Sequence, residues 1–216
     1  MNEQTREERA YYAMMKRGFA LIAPVYDAMT LPIVRLRRAV VDLSGAPPTA
    51  KVLDVATGTG AQAYAFAQKC AEVVGLDLSE AMLRVARRKR AAPNLVYVQG
   101  DATALPFADA TFDVTCVSFA LHEMPVGVRA ATVSEMARVT KSNGRVVVAD
   151  YALPRSTLVY RFVHLYEVGG SYADFVHRDL VAFLGDAGID AHLVHTELAG
   201  AVGVWTGVRS AARVVA

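Results

Sequence analysis

The chain has 216 residues, 54% of them hydrophobic and 20% charged, with 23 Lys and Arg against 21 Asp and Glu for a net charge of +2. This composition excludes a disordered chain, and the length suits one domain with a core of its own. There is no basic surplus for bulk nucleic-acid binding, and two cysteines 46 residues apart, Cys70 and Cys116, support neither a disulfide framework nor a zinc site.

The opening MNEQTREERA is polar and reads as no secretory signal, so a cytoplasmic protein is expected. Residues 5–17 and 33–44 read as helices, with interruptions near Pro24 and Pro32. The apolar stretch between them, Phe19 to Val34, is 16 residues long and is broken by Pro24, Asp27 and Pro32, too short and irregular to span a bilayer. After the break at Gly45-Ala46-Pro47-Pro48, the β-branched run Lys51–Val55 predicts a buried strand. Gly58-Thr59-Gly60 opens a helix over about 61–71. A second strand, Val73–Leu76, ends at Asp77, and Ser79 is a natural N-cap for a helix to about residue 91. Strands follow at 95–98 and 112–117, a helix at 127–140, a strand at 145–149 after Gly144, and a helix at 177–187 that stops at Gly188. The last apolar runs, 191–194 and 201–208, have no helix between them and read as a hairpin.

Five strand–helix alternations predict an α/β fold with a parallel sheet and helices on both faces; the hairpin adds an antiparallel strand and makes seven. Ligands of such sheets bind at the carboxyl ends of the strands, where strand order reverses. The first strand end is Asp54-Val-Ala-Thr-Gly-Thr-Gly60, where glycines let a ligand approach the backbone at a helix N-terminus. The second carries Asp77, 17 residues past Gly60, in the place where an acid accepts ribose hydroxyls. Asp101 follows the third strand and suits an exocyclic amine; Ser118, His122 and Glu123 follow the fourth. A plain turn, a helix-capping acid, a solvated loop and a structural histidine are the ordinary readings of the same residues.

Asp54-Val-Ala-Thr-Gly-Thr-Gly60, Gly75-Leu-Asp77-Leu-Ser79, Gly100-Asp-Ala-Thr-Ala-Leu-Pro-Phe107, Phe112-Asp-Val-Thr-Cys-Val-Ser-Phe119 and Arg138-Val-Thr-Lys-Ser-Asn-Gly144 resemble the successive motifs of class I S-adenosylmethionine-dependent methyltransferases. With Ala23-Pro-Val-Tyr26-Asp27 and Gly200–Gly207 added, the chain is most similar to the ubiquinone/menaquinone-biosynthesis C-methyltransferase family over nearly its whole length. The resemblance implies a Rossmann-like, doubly wound core at residues 46–216 under a helical cap at residues 1–45, forming a single domain. It implies S-adenosylmethionine as cofactor, S-adenosylhomocysteine as product, and a small, apolar or lipid-like acceptor such as a quinone precursor.

Residue by residue, Asp54 and the turn Ala56, Thr57, Gly58, Thr59 and Gly60 would hold the methionine part. Asp77 would hold the ribose, Leu78 and Met82 would lie against the adenine, and Gly100, Asp101 and Ala102 would read its edge. Ser118 would lie near the sulfonium and Tyr26 would close over the site. His122, with Glu123 behind it, is the candidate general base, and no metal is called for. Ala56 stands where the family has glycine, Ser142-Asn143 replaces Pro-Gly, and Leu121-His-Glu-Met124 replaces an Arg-Asn pair. The sequence also satisfies the loose G-x-G-x-x-A of an NAD(P)-dependent oxidoreductase at Gly58–Ala63, and a catalytically inactive partner subunit would carry the same core. The basic cluster Arg84, Arg87, Arg88, Lys89 and Arg90, with Arg35, Arg37 and Arg38, reads as a solvated face; a peripheral contact with an anionic membrane is the sharper reading. The acceptor site is expected among Phe19–Leu36, His122–Val126 and Val159–Phe175, including an apolar helix near Leu158–Val168.

Overall fold

A computed structural model describes residues 5–30, 33–158, 160–161 and 171–210. The helix expected near Leu158–Val168, and with it much of the acceptor segment from Val159 onward, lies outside the described residues.

Seven strands form one sheet: β1 (Lys51–Val55), β2 (Glu72–Asp77), β3 (Leu95–Gln99), β4 (Phe112–Ser118), β5 (Thr140–Tyr151), β6 (Ile189–Glu197) and β7 (Val202–Arg209). Their order is β3-β2-β1-β4-β5-β7-β6. β1 to β5 are mutually parallel, and β7 is antiparallel to both β5 and β6. The closing hairpin therefore inserts its second strand beside β5 and leaves β6 at the edge. Strand order reverses between β1 and β4, so the loops after these two strands open side by side.

Side chains that alternate along each strand divide the core into two layers. Leu53, Val55, Leu76, Val117 and Val148 face one layer, which is covered by α7 (Val126–Val139) and by α8 (Ser171–His177) and α9 (Leu180–Asp186). Val52, Val73, Val114, Cys116 and Val147 face the other, beneath α4 (Val34–Leu43) and α5 (Ala61–Ala67). Both cysteines are buried free thiols. No helix among the described residues is long and apolar enough to cross a membrane.

The N-terminal elements differ from the single helix expected at 5–17. Thr5 and Glu8 form a capping box that starts α1 (Arg6–Ala13). A π-helical turn at Met14–Gly18 leads into α2 (Phe19–Ile22), and α3 (Tyr26–Met29) follows the break at Pro24. The helix expected at 177–187 is two helices, because the Asp179 carboxylate accepts from the Val181 and Ala182 amides and starts α9 anew. The strand expected at 145–149 runs from Thr140 to Tyr151. Ser79 caps α6 (Glu80–Lys89) as expected.

Candidate active site at the switch point of the sheet

The loop after β1 is built from unusual backbone. Ala56, Gly58 and Gly60 have φ of 55°, 57° and 80°. The two glycines serve different ends. A Cβ on Gly58 would meet nothing nearer than Tyr26 Cε1 at 4.0 Å, so Gly58 leaves room beside its backbone. A Cβ on Gly60 would lie 2.3 Å from the Tyr97 hydroxyl, so Gly60 permits packing. The loop is tied down by Thr57 N–H to Leu76 O at 2.9 Å and Thr57 Oγ1–H to Asp54 Oδ2 at 2.5 Å. Asp54 is spent beneath the loop. Burial pushes its carboxyl up to about 7, against the Thr57 hydroxyl and the nearby Ala63 N–H, which favour the charged form.

Asp77 ends β2 with Oδ2 accepting from Gly58 N–H at 2.7 Å and Oδ1 from Ser79 N–H at 2.8 Å. Burial raises its pKa while those two amides lower it. The carboxylate is thus fixed in orientation by the glycine loop on one side and the start of α6 on the other.

These groups border a cleft whose open space, its mouth included, is about 870 Å³. Of the residues expected at a cofactor site, Tyr26, Ala56, Thr57, Gly58, Thr59, Asp77, Met82 and Ser118 line it together. Asp54, Gly60, Leu78, Gly100, Asp101 and Ala102 are not among its lining residues. Each has a local reason. Gly100 packs where a Cβ would be 2.9 Å from Leu76, Leu78 O accepts from Gln99 Nε2 at 3.2 Å, Asp101 Oδ1 accepts from the Thr103 amide and hydroxyl, and Ala102 packs against the core. Tyr12 on α1 reaches Thr103 Oγ1 at 3.4 Å, which brings α1 over that side.

The roof comes from the N-terminal elements. Tyr11, Phe19 and Tyr26 line the cleft, and the Phe19 and Tyr26 rings meet at 6.0 Å. Burial, then the charge of Glu123, raises the phenol pKa of both Tyr11 and Tyr26, so both stay neutral. Asp27 clasps the roof to the floor: its carboxylate accepts from Thr59 Oγ1 at 2.7 Å and pairs with Lys89 at 3.0 Å and Arg90 at 3.1 Å. Burial raises its pKa, but these three partners outweigh burial and hold it down at about 2. Lys89 and Arg90 therefore do structural work that a solvated face would not. Arg37 is corrected in the same way: it lines the cleft, donates to Thr30 Oγ1 at 2.8 Å, and has its pKa lowered first by burial and then by Arg90. A helical run of arginines reads the same in sequence whether it meets water or a cavity, so only the tertiary packing reveals Arg37.

His122 stands one layer back from where the sequence suggests. It lies in a 3₁₀ turn, Leu121–Glu123, is 4% exposed, and is not among the lining residues; its neighbour Glu123 is. The His122 Nδ1 atom is 2.6 Å from Asp150 Oδ1, and Nε2 is 3.9 Å from Glu123 Oε1. Arg129, wholly buried on α7, fixes this turn by donating to Leu121 O at 2.9 Å and Met124 O at 3.0 Å while pairing with Asp174 at 3.1 Å.

A methyltransferase-domain family matches residues 52–144. A demethylmenaquinone methyltransferase of Renibacterium salmoninarum is 44% identical over 138 residues, covering 62% of this chain and 56% of that protein. One of Thermus thermophilus is 37% identical over 155 residues, 66% of this chain and 70% of that protein. Among solved structures, the DhpI–SAH complex superposes with a TM-score of 0.71 at 18% identity, over 94% of this chain and 98% of that one, which establishes the shared fold. The chain spans about half the length of the first curated relatives it matches. By its sheet, its glycine loop and these relatives, the chain belongs to the ubiquinone/menaquinone-biosynthesis C-methyltransferase family of S-adenosylmethionine-dependent methyltransferases.

Proposed function

We propose that the chain transfers a methyl group from S-adenosylmethionine to a small, largely apolar acceptor of the quinol class. The carrying observation is the cleft at the switch point, where open space beside Gly58 adjoins the oriented Asp77 carboxylate. The residues present fit the cofactor. Asp77 has lone pairs left for two ribose hydroxyls, Met82 and Ser79 border the same space, and Arg37 offers a half-buried cation to the amino-acid carboxylate. The bound cofactor supplies an activated methyl on a sulfonium with a neutral leaving group. The protein's share is then position and exclusion of water, for which Tyr11, Phe19 and Tyr26 form the roof. His122 and Glu123 supply the proton chemistry that a hydroxylated acceptor needs. Gly60, Leu78, Gly100, Asp101 and Ala102 support the loops around this space.

The quinol class is supported by the names of the relatives and by the apolar roof. Leu21, Val25 and Met29 are exposed on the cap, Leu21 at 82%, which suits a lipid-tailed acceptor met at a lipid surface. Two buried free thiols suit a reducing cytoplasm. The oxidoreductase reading keeps only its loose G-x-G-x-x-A, and the family and relatives matched above, all methyltransferases, favour neither it nor the inactive subunit.

Calorimetric titration tests the reading. Wild-type protein is expected to bind S-adenosylhomocysteine and not NAD. Asp77→Ala is expected to weaken that binding tenfold or more, because it removes charge-assisted bonds worth ~1.5–3 kcal/mol each. Equal affinity of wild type and variant would remove Asp77 from the cofactor site.

A further inference from the structure

We infer that Glu123 is the residue that takes the acceptor's proton, with His122 and Asp150 behind it as a relay; this rests on the methyl-transfer reading and deepens it. Glu123 lines the cleft, whereas His122 does not. His122 bridges the two acids, with Nδ1 2.6 Å from Asp150 Oδ1 and Nε2 3.9 Å from Glu123 Oε1.

The hydrogen bonds around Asp150 fix the direction of the relay. Its side chain is wholly buried, Oδ2 accepts Leu121 N–H at 3.0 Å, and Oδ1 accepts Tyr151 N–H at 2.8 Å. Both oxygens already act as acceptors toward amides, so Nδ1 carries the hydrogen and donates to Oδ1. The basic lone pair of the neutral imidazole is then on Nε2, facing Glu123. Edge-on packing against the Tyr151 ring, at 4.7 Å between centroids, keeps the imidazole in that plane. Arg129 holds the two carbonyls that flank the pair.

The proton balance follows. A quinol hydroxyl loses its proton to Glu123 and keeps the electron pair on oxygen. The adjoining ring carbon takes the methyl, the pair of the broken S–CH₃ bond stays on sulfur, and the ring proton returns to oxygen. The proton on Glu123 passes to Nε2 once the two side chains close the 3.9 Å between them to hydrogen-bond distance, Asp150 stabilises the imidazolium, and the proton returns through Glu123, the more exposed member of the set, to solvent as the cycle closes. Among the described residues, Tyr11 on α1 and Tyr26 on α3 interact with the Glu123 charge, Tyr151 packs on the imidazole, Arg129 on α7 interacts with Asp150, and Asp77 and Arg37 line the same cleft as Glu123.

The test uses full-length protein with ¹³C-labelled histidine, a short-tailed demethylmenaquinol as acceptor, and S-adenosylhomocysteine titration on the same samples. Glu123→Gln is expected to lower kcat by about a hundredfold with unchanged affinity for S-adenosylhomocysteine, and to move the His122 titration to lower pH, since a negative neighbour is gone. Asp150→Asn is expected to move that titration the same way and to lower kcat more than it changes KM. Should Asp150→Asn fail to fold, His122→Asn carries the comparison, with a loss of kcat no larger than that of Glu123→Gln. Wild-type kcat in Glu123→Gln, a larger loss in His122→Asn, or a His122 titration indifferent to Glu123→Gln overturns the relay. Wild-type protein that binds no S-adenosylhomocysteine overturns the methyl-transfer reading instead, and the titration still decides whether the two side chains are coupled.

Discussion

Asp54 shows how far one carboxyl can be moved by its surroundings. In the unfolded chain it titrates near 3.8; folded, beneath the glycine loop, near 7. Because the folded value is the higher one, the folded state holds its proton more tightly. The stability linked to that proton is complete below pH 3.8 and is lost as pH rises through about 7. The melting temperature of the wild type is therefore expected to fall between pH 6 and 8.5. Asp54→Asn, neutral throughout and able to accept from Thr57, is expected to flatten that fall; a variant with the wild-type slope would place its origin elsewhere. His122 and Glu123 teach a related lesson about reach. The strand-end rule brought both to the rim, but successive residues of a 3₁₀ turn point about 120° apart, so only one of two neighbours can face the cleft. Nothing in the sequence selects Glu123 over His122; the phase of the turn does, and Arg129 and Asp150 set that phase from 5 and 29 residues away.

At the scale of elements, strands were more legible than helices. β1 and β2 are buried on both faces, and their β-branched runs say so directly. Ser79 announced the start of α6 because an N-cap is a local device. The cap over the cleft was legible only as an apolar, Pro-broken stretch, because its fold depends on contacts with α6 and the glycine loop. Asp27 is the chief of these contacts. Its folded pKa of about 2 lies below the unfolded 3.8, so the clasp is at full strength above pH 3.8 and is lost as pH falls through about 2. Asp27→Asn keeps the shape and removes the charge that Lys89 and Arg90 pair with. We expect limited proteolysis within residues 5–30 to accelerate severalfold while the melting temperature of the sheet changes little. Equal cleavage rates would show that the apolar roof contacts hold the cap unaided.

For the whole molecule, the switch point between β1 and β4 was readable from the alternation of elements, and with it the site's location. Asp101 and Ala102, expected at the adenine edge, do not line the cleft; Asp101 Oδ1 accepts from Thr103, and α1 lies over that side. The roof comes from the N-terminal elements and the floor from the loops after β1, β2 and β4, so a ligand held between them couples the two. Saturating S-adenosylhomocysteine is expected to slow amide exchange in α1 to α4 as well as in the glycine loop; at a hundredfold excess over Kd the linkage is worth about 2.7 kcal/mol. Protection confined to residues 54–60 would mean that the roof does not feel the ligand.

The Asp27 clasp also bears on time. Thr59 belongs to the loop that borders the ligand, and Asp27 grips Thr59 from the roof. Release of that grip, together with the pairs to Lys89 and Arg90, would widen the way out of the cleft. On the methyl-transfer reading, weakening this one carboxylate, remote from the reacting carbon, is expected to shorten the residence of the product without altering the chemistry that made it.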